Sequence, residues 1–179
     1  MRKSVIAATA LVAALVLGGC SSQSGAAAVV DGEQISTATL DRTTRELQEL
    51  FGPQVQSRQV LTMFIIAPSY LEAAAENGVA KSREEARDYL ANIAASQAAS
   101  EGSATVDVSG FSDATFDIFR FDMAVQELGM LANSQEIGAQ LQERVAGLDI
   151  DVNPRFGEFS VENNIVLPLS HDWLVQPSA

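Results

Sequence analysis

Between Arg58 and Gly78 the chain reads R-Q-V-L-T-M-F-I-I-A-P-S-Y-L-E-A-A-A-E-N-G, and its apolar positions leave hardly any polar face. Val60, Leu61, Met63, Phe64, Ile65, Ile66 and Ala67 form the densest apolar run outside the N-terminal region, and Leu71, Ala74 and Ala75 continue one side. A helix that is apolar nearly all round has to be covered by neighbours. The segment is therefore predicted to be the buried element around which the rest packs. It falls short of the roughly 20 apolar residues that span a bilayer. Pro68 has no N–H, which predicts a kink there or two helices meeting at Ala67. Asn77-Gly78 ends the pattern, Gly supplying a left-handed C-cap.

Other elements follow from the same reading. Ala28-Val29-Val30 is a short apolar strand, and Asp31-Gly32 a tight turn whose residues tolerate positive φ. Ser36 or Thr37 can cap a first helix carrying Leu40, Thr44, Leu47, Leu50 and Phe51 on one stripe, and Gly52-Pro53 stops it. The second helix begins near Pro53 or Gln54. Ser82-Arg83-Glu84-Glu85 is a capping box, opening a third helix to about Ala98 with Ala86, Tyr89, Leu90 and Ile93 inward. Ser100 to Gly110 reads as a mobile loop. Ser112 or Asp113 caps a fourth helix with Phe116, Phe119, Met123, Ala124, Leu128 and Leu131. A last helix, from about Ser134 to Ala146, aligns Ile137, Leu141 and Val145. After Gly147 the period changes to two: Leu148 to Val152 alternates as a half-buried strand does. Phe156 to Val161 and Ile165 to Pro168 suit a hairpin about Asn163-Asn164, held to an edge by Pro168. In Ser170 to Ala179 only Trp173-Leu174-Val175 has a pattern, an apolar triplet that could pack back on the domain.

The N-terminal region changes the picture. Met1-Arg2-Lys3 is a positive start, Val5 to Leu17 an apolar core, and Leu17-Gly18-Gly19-Cys20 a small-residue ending, the layout of a secretory signal. The ending resembles the lipobox of bacterial lipoproteins, L-x-[GA]-C. That resemblance implies cleavage before Cys20, its lipidation, and a membrane anchor at the new N-terminus. An uncleaved membrane helix and a plain signal with an incidental Cys are the alternatives. Residues 1–19 are thus expected to be signal peptide and 20–27 a small, uncharged tether. Cys20 is the only cysteine, so no intramolecular disulfide can form. Without Arg2 and Lys3, the 11 basic residues become 9 against 23 acidic ones, a net charge of −14. This argues against nucleic acid as a partner. A solvated acidic surface accounts for it more simply than a basic client or cations.

Catalytic signatures are missing: there is no G-x-S-x-G, S-x-x-K, H-E-x-x-H, P-loop or G-x-G-x-x-G. His171 is the sole histidine and has no partner motif. Asp149, Asp151 and Asn153 have the i, i+2, i+4 spacing of calcium ligands, but Pro154 and Ser160 stand where an EF-hand loop needs Gly and Glu; an exposed strand face explains them. No enzyme, cofactor or metal is expected. Phe111, Phe116, Phe119, Phe121 and Met123 form one aromatic cluster, with Phe116, Phe119 and Met123 on a shared side and Phe121 pointing elsewhere. Core packing is one explanation. The other is an apolar groove for a client peptide, since Met and Phe adapt to varied partners. Leu61, Phe64, Phe116, Phe119 and Met123 are the candidate peptide-binding residues.

A-A-V-V-D-G-E-Q-I-S before an amphipathic helix is similar to the start of the SurA/PrsA-type foldases and chaperones of the bacterial envelope. V-L-T-M-F-I-I-A-P-S-Y-L-E-A-A-A-E-N-G-V-A-K-S-R-E-E-A resembles their next element, so the likeness runs from about Ala28 to Ala98. Asp149 to Val152 with N-P-R-F-G-E-F resembles the ending of short actinobacterial lipoproteins with this domain. The family implies that the early strand pairs with the late one. Asp31, where Asn is commoner, and Pro68 depart from its pattern. No stretch has room for the parvulin prolyl-isomerase domain of the larger members. The expected fold is therefore mainly α, a SurA-like helical domain over 28–152 with a small sheet joining N- and C-terminal strands, then a hairpin and tail over 153–179. The function implied is an isomerase-free, lipid-anchored chaperone on the outer face of the cytoplasmic membrane, holding unfolded or exported polypeptides. A structural or assembly subunit of an envelope complex with one dedicated partner is the alternative.

Overall fold

The computed structural model describes residues 25–169. Residues 1–24, with the signal and Cys20, and residues 170–179 lie outside the described residues. The order of elements is β1 (Ala26–Val30), β2 (Glu33–Ser36), α1 (Thr37–Phe51), α2 (Ser57–Glu76), α3 (Arg83–Glu101), a 3-10 turn (Val108–Gly110), α4 (Asp113–Met130), α5 (Ser134–Ala146), β3 (Ile150–Val152), β4 (Glu158–Ser160) and β5 (Ile165–Leu167). The protein is mainly helical with small antiparallel sheets. As expected of a helix apolar on all sides, α2 packs against α1, α4, α5, β1 and β5.

Strand β1 is central in a three-stranded sheet of order β2-β1-β3, both pairings antiparallel. Val30 faces Ile150 and Ala28 faces Val152, so the two ends of the domain are joined. Asn153 extends the seam: its backbone N–H donates to Ala27 O at 2.9 Å and its side-chain amide to Ala26 O at 2.9 Å. Two sequence expectations are corrected here. The chain enters the sheet at Ala26, and Ala26, Ala27 and Ala28 are buried, so the tether does not extend to residue 27. Glu33–Ser36 is a strand rather than a run-in to the helix. Asp31 and Gly32, with φ of 49° and 83°, form a two-residue hairpin turn, the connection whose twist matches antiparallel strands.

Caps set the helix starts. Ser36, Ser82 and Ser112 each accept a backbone N–H in the first turn of α1, α3 and α4, and Glu85 reciprocates to the Ser82 N–H. Helix α2 starts at Ser57, later than Pro53-Gln54 suggested, with the Gln59 side chain accepting the Gln56 backbone N–H at 3.1 Å. It is a single helix through Pro68, not two helices meeting at Ala67. The stretch read as a mobile loop contains the end of α3 and the 3-10 turn, with Val108 buried in the core.

Two apolar clusters hold the helices. The larger joins Leu40, Leu47, Leu61, Ile65, Leu90 and Phe116 to Phe156 and Val166. The smaller packs Ala73 and Ala74 of α2 with Leu128 of α4 and Ile137 and Leu141 of α5. The β4–β5 hairpin thus shares the helical core, with Asn164 in its connection at φ 53°. Ion pairs clip the surface. Asp117 takes Arg83 in a fork (2.9 and 2.6 Å), and Arg144 of α5 reaches Glu72 and Glu76 of α2.

Candidate functional site

Along α2 the apolar side chains divide between two faces. Leu61 and Ile65 are fully buried, whereas Met63, Ile66 and Tyr70 form a second, half-buried stripe at spacings of three and four. Residues at those spacings share one side of a helix. Of this stripe Met63 lines a cleft, while Ile66 and Tyr70 pack against the two apolar clusters.

The cleft encloses about 530 Å³. Helix α1 contributes Leu47 and Phe51, α2 contributes Val60 and Met63, and α4 contributes Ile118, Phe119 and Phe121, with Val55 and Ile93 completing the walls. Only Gln59 and Asp122 bring polar side chains to it. A second depression of about 550 Å³ shares Gln59, Met63 and Phe121 with the first and continues to the hairpin at Ile165, Val166 and Pro168. Both have the size and apolar character of ligand-binding clefts. Together they make a groove across α2, with Met63 and Phe121 where the two halves meet.

Aromatic contacts fix its walls. Phe51 stacks on Phe119 with ring centroids 6.3 Å apart, and Phe121 meets Tyr70 edge-on at 5.1 Å. Asp122 at the rim accepts from the Tyr89 hydroxyl (3.1 Å) and the Gln126 amide (2.8 Å). Its carboxylate is thereby held at the side of the cleft, leaving the interior to hydrocarbon.

Of the five residues expected to bind peptide, the structure brings one, Phe119, to the groove. Leu61 and Phe116 are fully buried in the main core, a correction of their assignment to a binding surface. Leu61 is two residues from Met63, about 200° around the helix, and so faces inward when Met63 faces the cleft. Phe116 carries the Arg87 guanidinium 4.6 Å from its ring centroid. Phe64 and Met123 are half-buried against the core and line neither half of the groove, a second correction. Phe51, Met63 and Phe121 were missed. Phe121 was separated from the Phe116–Phe119–Met123 stripe by its helical angle, and that off-stripe position was the available signal.

The most strongly engaged carboxylate lies elsewhere. Glu46 of α1 is buried at the start of α4, where it accepts from the Ser112 N–H (3.0 Å), the Ser112 hydroxyl (2.7 Å), the Thr115 hydroxyl and Arg42 Nε (2.8 Å). Burial pushes its pKa up, but the hydrogen bonds from Thr115, Ser112 and Arg42 outweigh this and hold it below the usual glutamate value. Its donors are all structural, so Glu46 acts as a cap from another helix. Among the described residues no group of three or more His, Cys, Asp or Glu could hold a metal ion, and no helix is long and apolar enough to cross a membrane. Cys20 and His171 lie outside the described residues. Compared with known families, curated proteins and solved structures, the chain matches none.

Proposed function

We propose that this protein is a lipid-anchored holding chaperone of the cell envelope, attached through Cys20 to the outer face of the cytoplasmic membrane, that binds apolar stretches of unfolded or exported polypeptides. The observation that supports this reading is the apolar groove over α2, with half-buried Met63 and Phe121 at its centre. Met has three rotatable side-chain bonds and a polarisable sulfur, so a wall containing it repacks around different apolar side chains. Walls made mostly of apolar carbon select hydrophobicity rather than sequence, which suits a holder of many clients. The groove offers no cluster of titratable groups that would suit bond-breaking chemistry on the bound chain.

The test is suppression of aggregation of a denatured model client by the chain from Ser21, which keeps every described element. Met63→Glu puts a charge in the groove at a position with room for it and is expected to abolish protection while circular dichroism stays unchanged. Leu61→Ala, a core change, controls for stability. Failure of the unaltered chain to protect at stoichiometric excess would sink the reading. Crosslinking to one envelope protein alone would instead favour the dedicated assembly subunit.

A further inference from the structure

We infer that the groove over α2 also binds a single-chain anionic amphiphile, a long-chain fatty acid, with its alkyl tail in the half between α1, α2 and α4 and its carboxylate at Arg58. The two halves differ in the chemistry they offer. The first, about 530 Å³, is large for one side chain and lies within the roughly 300–1,000 Å³ of sites that take a whole small ligand. Around Phe51, Met63, Phe119 and Phe121 its walls are hydrocarbon and sulfur. A peptide backbone laid there would bury N–H and C=O groups without partners. Only Gln59 and Asp122 bring polar side chains, and Asp122 is already engaged by Tyr89 and Gln126. An alkyl chain has no such groups to satisfy.

The second half carries the complement to a carboxylate. Arg58 is the one charged residue among the described residues that line it, in a chain with 23 acidic and 11 basic residues. It sits in the first turn of α2, which holds no acidic residue and where the aligned peptide dipoles favour an anion. Gln59 lines both halves, and because its Oε1 takes the Gln56 N–H at 3.1 Å, its amide N–H groups remain to donate at the junction. Arg58 precedes Met63 by five residues, about 7.5 Å along the helix axis. A carboxylate at the guanidinium therefore leaves the following carbons to pass Met63 into the first half. Asp122, at the rim of that half, repels a carboxylate and so fixes the orientation.

This ligand does not depend on the holding of polypeptides. Calorimetric titration of the chain from Ser21 with dodecanoate, below its micelle concentration, is expected to show saturable binding of one molecule per chain. Dodecyltrimethylammonium has the same tail and a cationic head, and should bind about tenfold more weakly although the chain's net charge is negative. Arg58→Gln should weaken dodecanoate about tenfold and leave the ammonium no weaker. Met63→Glu should abolish dodecanoate binding, with circular dichroism unchanged in both variants. Absence of saturable dodecanoate binding overturns the proposal. Equal affinity for the two heads overturns it too, as does an Arg58→Gln variant that binds dodecanoate like the unaltered chain. Dodecanoate bound by a chain that protects no client keeps this ligand and removes the holding function; clients protected by a chain that binds no dodecanoate do the reverse.

Discussion

The Thr62 side chain accepts the backbone N–H of Val166 at 2.9 Å, a buried hydrogen bond across 104 positions that fixes β5 to α2. The same hydroxyl donates to Arg58 O at 2.9 Å, so Thr62 spends both capacities between its own helix and the hairpin. Since Val166 and Pro168 wall one half of the groove, this bond sets where that wall stands.

Thr62→Val keeps the shape and removes the acceptor. The Val166 N–H, buried without a partner, then costs about 1–3 kcal/mol. Chemical denaturation should show that loss, and hydrogen exchange should place it, with the Val166 amide losing more protection than the amides of α4.

Gly157 occupies φ 126°, and a Cβ there would lie 1.8 Å from the Leu167 carbonyl oxygen. Gly157→Ala meets both the left-handed backbone penalty of about 1–3 kcal/mol and a backbone clash that no rotamer relieves. The hairpin is expected to leave its seat while the helices stay folded. Far-UV circular dichroism should change little, the melting temperature should fall, and the hairpin amides should exchange freely.

Much of this architecture is legible in the residues. The all-apolar α2, the serine caps, the period-two run at Ile150–Val152 and the turn at Asn163-Asn164 each carry a local signal that packing has no reason to override. Glu33–Ser36 carries one apolar residue in four and is a strand because β1 pairs with it, which sequence periodicity does not register. The groove was misplaced for a related reason. Phe116 and Leu61 have the composition of a binding surface, yet composition does not say which of two apolar faces is covered. On α2 the difference between Leu61 and Met63 depends on where α1, α4 and the hairpin come to rest.

Thr43 is fully buried on α1, and its hydroxyl has no hydrogen-bond partner among the described residues. Removing an unsatisfied polar group while keeping its shape recovers its desolvation cost. Thr43→Val is therefore expected to be neutral or to stabilise by up to about 1 kcal/mol, the reverse of Thr62→Val. Equilibrium denaturation of the two variants side by side checks the contrast: equal losses at both positions would contradict the bonding described for Thr62.

Glu46 ties stability to pH. Its hydrogen bonds to the charged form lower its pKa in the fold despite burial, and Asp117 is lowered likewise, its two arginine partners outweighing its desolvation. A carboxyl group with a depressed folded pKa binds protons more readily when unfolded. Its contribution is complete above the unfolded value, about 4.3 for glutamate, and disappears as pH falls through the lower folded value. Acid unfolding should therefore steepen below about pH 4.3. Glu46→Gln is expected to lower stability at neutral pH, because an amide donates where the Ser112 and Thr115 donors need an acceptor, and to flatten the acid limb. Denaturant midpoints of both chains from neutral to acid pH measure this. A variant difference that stayed constant across the range would show that Glu46 is not titrating with the fold.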